Sequence, residues 1–214
     1  EEILELGKTL HVAMVAMTTH GRSGFVRWAL GSVAERVLHS ATVPVFLVRN
    51  FDAMPVKDTV RILVPLDGSK LSEHALHSAM EVAQRCQGQI LLLHVLNVPT
   101  SMGLQFFMES QEEIDELVEQ WWRDAEEYLK ATAQIVRSQG IEVKTHLIHG
   151  EPDRVIDEIA AHEHVSMIAM STHGRTGLQR WVFGSVAGKV LRTVECPLLL
   201  VRAPHEAHPS KIFS

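Results

Sequence analysis

Cysteine is scarce in this chain, and long apolar runs are missing. Only 2 of the 214 residues are cysteine, Cys86 and Cys196, and they form no C-x-x-C pair or other metal-ligand spacing. Disulfide scaffolds, zinc fingers and dithiol redox proteins are therefore excluded as classes, and we expect both side chains to be reduced and to lie in an apolar core. No apolar run approaches the roughly 20 residues that cross a bilayer as a helix.

An excess of basic charge is also missing. The chain has 20 Lys and Arg against 26 Asp and Glu, a formal net charge of −6, which disfavours general binding to nucleic acids or anionic membranes. Hydrophobic residues make up 46% and charged residues 21%, which is typical of a soluble globular protein. Since no signal-peptide pattern opens the sequence, we expect a cytoplasmic protein, with neither nucleic acid nor membrane as a partner.

What the chain does contain is an internal duplication. Residues 11–49 and 164–202 align without a gap at a constant offset of roughly 153, with about 22 identities in 39 positions. These segments are named the first copy and the second copy. Residues related by the offset, such as Ser32 and Ser185, are equivalent positions of the two copies.

Each copy carries the pattern of an anion-binding loop. In the second copy an apolar strand at 165–170 leads into the Gly-bearing loop at 171–177, and a helix begins near Gly184 and Ser185. Glycine lets the backbone approach an anion closely, and the unpaired N–H groups at a helix start point towards it. Arg175 adds positive charge. The alternative is a plain strand-to-helix turn in which Ser185 only caps the helix, but the repetition of the pattern favours the anion site.

These residues carry a resemblance to the universal stress protein family, in the tandem form that joins two such domains in one polypeptide. Nucleotide-binding members of that family carry G-x2-G-x9-G-[ST]. The second part of this pattern occurs twice here, as Gly174 with Gly184-Ser185 and as Gly21 with Gly31-Ser32. In place of the first glycine stand Ser171 and Thr18. A small hydroxyl side chain could donate to a phosphate there, but it lacks the backbone freedom of glycine.

The order of apolar and amphipathic segments predicts an α/β fold. Strands and helices alternate from residue 60 to 201, which is typical of an open parallel sheet, here with five strands and helices on both faces. The polar stretch 51–59 reads as a linker and 204–214 as a flexible tail. Residues 60–203 would then be a complete domain, and residues 1–50 the C-terminal half of a first one. The resemblance implies the adenine nucleotide alpha hydrolase-like, Rossmann-like strand order 3-2-1-4-5.

In that order the first and fourth strands are neighbours, and open α/β sheets bind ligands where the carboxyl ends of such strands meet. The resemblance therefore implies an adenine nucleotide site in residues 60–203, with ATP as the cofactor, with or without magnesium. It implies that Asp67 accepts a hydrogen bond from the ribose or the base and that Val95 contacts adenine through its backbone. The other predicted contacts to the nucleotide are Pro65, Leu66, Ser171, His173, Gly174, Arg175, Gly184, Ser185 and Val186. No complete site is predicted in residues 1–50.

Histidine is frequent, with 13 residues, and raises the question of a metal site. Close pairs such as His162 and His164 lack the partner spacing of a zinc site, so no metal ligand is predicted. His94 lies within an apolar strand and is interpreted as a core histidine with its hydrogen bonds satisfied. No activated nucleophile and no paired carboxylates lie at the loop, so no catalytic residue is predicted; binding a nucleotide is not by itself turnover.

Three functions stay open at this stage. The favoured one is an ATP-binding regulatory module of a stress response, not an enzyme. The first alternative, favoured by Ser171 in place of glycine, is an interaction module that dimerises and binds no nucleotide; the second is a slow ATP hydrolase. The strands at 44–48 and 197–201 are expected to pair antiparallel, within one chain or across a homodimer, because each would cover the open edge of the other.

Overall fold

The structure is a computed structural model and describes residues 2–19, 30–49, 59–98, 111–172 and 184–202. The part that contains the first copy forms two helices and two strands: α1 (Glu2–Thr9), β1 (Val15–Thr18), α2 (Ser32–Ser40) and β2 (Val45–Val48). Both strands are short. Strand β2 is apolar and mostly buried, as expected of a strand whose faces are covered, whereas β1 is partly exposed.

The longer part of the chain, after the polar stretch 51–59, alternates strand and helix as its sequence pattern predicts. The strands are largely aliphatic except for the one at 142–149, which carries charged residues and histidines, and the helices bury stripes of small or aliphatic residues at helical spacing. Its elements are β3 (Arg61–Leu66), α3 (Lys70–Cys86), β4 (Gln89–Leu96), α4 (Gln111–Ser138), β5 (Glu142–His149), α5 (Pro152–His162), β6 (Met167–Thr172), α6 (Ser185–Thr193) and β7 (Leu198–Arg202).

All these strands belong to one sheet, in the order β1-β2-β7-β6-β3-β4-β5. Strands β3 to β7 take the order 3-2-1-4-5, read from the β5 edge, and are parallel to one another. The predicted five-stranded order is confirmed for β3 to β7. Because β2 pairs with β7, as expected of the last strands, the sheet continues through the first copy and reaches seven strands.

The join between β2 and β7 is antiparallel and nearly two-fold symmetric. Phe46 pairs with Leu199, and these are equivalent positions of the two copies. Val45 pairs with Leu200 on one side and Leu47 with Leu198 on the other, so the register is the same when the copies are exchanged. The expected antiparallel pairing of the last strands is therefore made within this chain, and β7 has a strand on each side.

The sheet buries alternate residues on opposite faces, as the two-residue period of a strand requires. Leu63, Leu91 and Ile168 pack against α2, α5 and α6, whereas Ile62 and Ile90 pack against α3 and α4 on the other face. These five side chains are completely buried. Burial of apolar area at about 25 cal/mol per Å² is what holds the helices to the sheet.

Two expectations about the surface are tested by the same structure. The cysteines do not both lie in the core: Cys86 is exposed at the end of α3, and Cys196 is half-buried. The helical stripe of α3 runs through Ala75, Ala79 and Ala83, and Cys86 lies beyond its last buried residue. Across the described ranges, no helix has both the length and the apolar character that a membrane span needs.

Candidate functional site

A cavity of about 240 Å³ lies where the carboxyl ends of β3, β4 and β6 meet the start of α6. This is the switch point of the sheet, since the chain leaves β3 and β6 in opposite directions along the strand order. Eight of the residues singled out from the sequence line it: Pro65, Leu66, Asp67, Val95, Ser171, Gly184, Ser185 and Val186. The other three, His173, Gly174 and Arg175, lie outside the described residues.

The apolar wall of the cavity comes from residues that sequence reasoning did not single out. Leu93 and Met170 project from the strands, and Pro152 and Ile156 come from the first turns of α5. Their sequence pattern shows only that they are buried; which residues meet at one end of the sheet depends on strand order. Pro152 and Ile156 are four residues apart on a helix and therefore share a face, which is the one signal that could have linked them.

Asp67 closes β3 and shapes the turn into α3. Its Oδ1 accepts hydrogen bonds from the Ser69 N–H at 3.0 Å and from the Ser69 hydroxyl at 2.5 Å. Burial would raise the pKa of the Asp67 carboxyl, but the hydrogen bonds from Ser69 and Ser72 outweigh this and lower it below the ordinary value of 3.8. Asp67 is therefore a carboxylate at neutral pH, and its hydrogen bonds with Ser69 hold the turn between β3 and α3.

Helix α3 begins with two serines that complete this turn. Ser69 is the N-cap, and its hydroxyl accepts from the Ser72 N–H at 3.2 Å, which satisfies one of the donors left open at a helix start. The Ser72 hydroxyl donates back to the Ser69 carbonyl at 2.8 Å. Both serines line the cavity, so the same hydroxyls that cap the helix form part of the polar wall of the cavity.

Ser171 stands at the place of the first glycine in the family pattern. Its Oγ accepts a hydrogen bond at 3.0 Å from the backbone N–H of Ala75, one turn into α3. The hydroxyl thus links the end of β6 to the helix above it. This partner lies in the protein, so the oxygen of Ser171 has a structural task whether or not a phosphate is present.

The start of α6 forms the opposite wall. Gly184 is the N-cap, with φ −48° and ψ 152°, and no side chain among the described residues caps the helix. The first bond within the helix runs from the Gly188 N–H to the Gly184 carbonyl at 2.9 Å, so the N–H groups before Gly188 have no partner within the helix. Such groups, with the positive end of the helix dipole behind them, attract an anion.

His94 lies behind the cavity, on β4, where it pairs with Leu66 across the sheet. The prediction of a satisfied core histidine was wrong: the residue is half-buried, and its Nδ1 has no hydrogen-bond partner within the described ranges. Its ring meets Tyr128 edge-on at 6.1 Å. Burial lowers the pKa of His94, and the Asp67 carboxylate only partly opposes this. His94 is therefore a neutral ring at pH 7.

Tyr128 connects this histidine to α3. Its hydroxyl donates to Glu73 Oε1 at 3.4 Å, and burial together with the Glu73 charge raises the pKa of Tyr128 to about 12. The phenol is thus protonated throughout the ordinary pH range. As for metals, no group of three or more His, Cys, Asp or Glu within the described ranges has the geometry of a metal site.

Comparisons with known proteins agree with this fold. Residues 1–49 and 59–202 match the profile of the universal stress protein family. The chain belongs to the universal stress protein family. The match covers both copies and leaves out the polar stretch between them.

Individual proteins that are similar to this chain are also universal stress proteins. A universal stress protein of Methanocaldococcus jannaschii is 32% identical over 144 residues, which cover 67% of this chain and 82% of the relative. A universal stress protein of Mycobacterium bovis is 28% identical over 195 residues, which cover 88% of this chain and 61% of the relative. The crystal structure of a universal stress protein from Archaeoglobus fulgidus has a TM-score of 0.67 at 25% identity, covering 94% of this chain and 65% of that one. The chain therefore spans less than two thirds of the relatives that match it over both copies.

Proposed function

We propose that this protein binds an adenine nucleotide, ATP with or without magnesium, and serves as a regulatory module of a stress response. The observation that carries the proposal is the cavity itself, where an apolar wall, a hydroxyl-lined turn and an uncapped helix start face one another. The apolar wall suits an adenine ring, the hydroxyl-lined turn suits a ribose, and the uncapped helix start suits a chain of phosphates. Membership of the universal stress protein family is the second support.

In this proposal the helix α6 holds phosphate and the strand ends hold the nucleoside. Ser185 and Val186 supply backbone N–H groups, and the Ser185 side chain, which is exposed, adds a hydroxyl. Gly184 lets the backbone approach the phosphate without a side chain between them. Leu93, Val95 and Met170 form the apolar floor on which a base would lie.

Asp67 and Ser171 have different roles in this proposal, one as a ligand contact and one in the wall of the cavity. The Asp67 carboxylate lies at the cavity mouth, is ionised at neutral pH and accepts from ribose hydroxyls. The Ser171 oxygen accepts a hydrogen bond from the Ala75 N–H, so we propose that its main part is to stabilise the cavity wall. Its hydroxyl proton is not used by this bond, so serine in place of glycine at this position is compatible with nucleotide binding.

The proposal that the protein works by dimerising through its last strand gains no support from the sheet. Strand β7 already pairs with β2 on one side and β6 on the other, so its edge is used within the chain. The nucleotide proposal has the additional support of the cavity, and it is the one we put forward.

Calorimetry on nucleotide-free protein tests this function. ATP is titrated, with and without magnesium, into the wild type and into Gly184→Val, which places a branched side chain at the helix start. The matched control is Gly31→Val, the same change at the equivalent position of the first copy. We expect binding to the wild type and to Gly31→Val, and none to Gly184→Val.

Either glycine variant can lose stability, so thermal unfolding accompanies each titration. At Gly31 an added Cβ would lie 2.8 Å from the Thr19 carbonyl oxygen, so this control is itself demanding on folding. A wild type that binds no ATP would overturn the proposal and leave a nucleotide-free interaction module as the function. Formation of ADP in the same samples reports any hydrolysis.

A further inference from the structure

The two copies contact each other through a pair of reciprocal arginines. Arg49 and Arg202 are equivalent positions: Arg49 follows the last residue of β2, and Arg202 is the last residue of β7. The Arg49 guanidinium donates from Nη2 to the Leu191 carbonyl of α6. The Arg202 guanidinium donates from Nη1 to the His39 carbonyl of α2 at 3.4 Å. Each copy thus reaches the C-terminal turn of the other copy's helix.

Both contacts have the same physical basis. The last carbonyls of an α-helix have no N–H partner within the helix, and the C-terminal end carries the negative pole of the helix dipole. Leu191 lies in the last turn of α6, where the Val194 N–H bonds to Val190 and leaves the later carbonyls open. A guanidinium supplies donors and a positive charge together.

The consequences of the two contacts differ, because the two helices have different starts. Helix α6 begins at Gly184, and its first residues line the cavity. Helix α2 begins beside Gly31, whose N–H bonds to the Thr19 carbonyl at 2.9 Å, and none of its described residues lines the cavity of the candidate site. Of the two arginines, Arg49 alone donates to a helix that forms part of the candidate site.

The surroundings of the two arginines differ as well. Arg49 is half-buried and Arg202 is exposed. Burial lowers the pKa of the Arg49 guanidinium, and Glu195 opposes this, so the charge stays and is partly removed from solvent. A hydrogen bond from a charged group is stronger where water competes less for it. The contact at Arg49 is thus the firmer of the two.

Among the described residues, helix α6 makes few other hydrogen bonds or ion pairs to the rest of the protein. Lys189 Nζ meets Asp153 Oδ1 of α5 at 3.0 Å, and Ala187, Val190 and Leu191 are buried against the sheet. A helix of 9 residues is about 13 Å long and shifts as one rod, so a restraint at its last turn also restrains its first. Arg49 is the restraint that comes from the other copy.

We propose that Arg49 is a positioning residue for the cavity of the second copy: by holding the C-terminal turn of α6, it keeps the N-terminal turn aimed at the ligand. The first copy thereby regulates the affinity of a site to which it contributes no lining residue. This inference rests on the proposed nucleotide binding for its ligand, but its structural part concerns α6 alone.

The test compares Arg49→Gln with Arg202→Gln, which breaks the equivalent contact of the same interface. ATP affinity is measured by calorimetry on the full chain, and Arg49→Lys is included because it keeps a positive charge and a donor. We expect Arg49→Gln to weaken binding about fivefold or more, Arg49→Lys to recover part of this, and Arg202→Gln to bind as the wild type does. Equal affinities for Arg49→Gln and the wild type, or equal losses in both Gln variants, would overturn the proposal.

Hydrogen exchange on the nucleotide-free proteins separates this proposal from the binding function. The Gly188 amide reports the first turn of α6, because it bonds to the Gly184 carbonyl. We expect its exchange to be about fivefold or more faster in Arg49→Gln than in the wild type and in Arg202→Gln. If the wild type binds no ATP, the proposed function fails, and unchanged exchange at Gly188 in Arg49→Gln would then overturn the positioning role as well.

Discussion

The two copies are identical at more than half of their aligned positions, yet their strands occupy different places in the sheet. Strand β6 of the second copy lies between β7 and β3, whereas β1 of the first copy lies at the edge of the sheet. Met167 of β6 is half-buried and pairs with Ile62, and its equivalent Met14 is 40% exposed. Similar sequences therefore adopt the same strand-helix-strand path but acquire different neighbours, and the cavity lined by β3, β4 and α5 lies beside the second copy.

The largest difference between the copies is expected in how much stability a buried side chain of each contributes. Ile168→Ala removes a fully buried side chain of β6 and should lower the free energy of unfolding by about 2–5 kcal/mol. Val15→Ala, at the equivalent position of the edge strand, should cost only about 1 kcal/mol, because Val15 is half-buried. Chemical denaturation of both variants measures the difference. Equal losses would show that β1 is as well supported as β6.

The next difference concerns the two helix starts. Ser185→Ala removes a hydroxyl at the cavity and should weaken ATP binding roughly tenfold, the worth of one hydrogen bond to a charged group. Ser32→Ala is the equivalent change in the first copy and should leave the affinity as it is. Calorimetry on both variants checks this. A matching loss in Ser32→Ala would place part of the binding at the first copy.

A smaller effect is expected where Ser171 replaces the first glycine of the family pattern. Ser171→Ala removes the side-chain acceptor of the Ala75 N–H and should lower the free energy of unfolding by about 1 kcal/mol. The ATP affinity should stay within about twofold of the wild type, because the main part of this hydroxyl in our proposal is to link β6 to α3. Denaturation and calorimetry on the same sample measure the two effects. A large affinity loss without a stability loss would make Ser171 a ligand contact.

The smallest effect is a pH dependence that only the first copy has. His39 ends α2 where the second copy has Arg192; burial lowers the pKa of His39, Glu35 at 3.9 Å raises it and Arg202 lowers it, with a net fall below 6.5. Between the folded pKa and 6.5 the unfolded chain binds the proton more strongly, so stability should rise with pH through that window and fall as the pH drops. His39→Gln should flatten this slope, and Arg192→Gln should not. Unfolding measured from pH 5 to pH 7.5 compares them.

Much of the site was predictable because its residues mark the ends of strands. Asp67 follows an aliphatic run, and Gly184 and Ser185 stand where a helix begins, so each marks an element boundary that can be recognised in the sequence. Leu93, Met170 and Ile156 were not predictable as cavity residues, since an apolar side chain looks the same whether it meets a neighbour or a ligand. The role of Ser171 was open for a similar reason: its partner, the Ala75 N–H, is 96 residues away in the chain.

By itself, the sequence determined the duplication, the alternation of strands and helices and the position of the loops, because these depend on local period and on short-range backbone chemistry. Only the tertiary structure decided that β2 and β7 would pair within one chain, that His94 would lie behind the cavity and that Arg49 would reach the end of α6. These outcomes depend on which surfaces meet across more than a hundred residues of chain or across neighbouring strands. Contacts of that kind follow from packing the whole sheet, and no local pattern of residues encodes them.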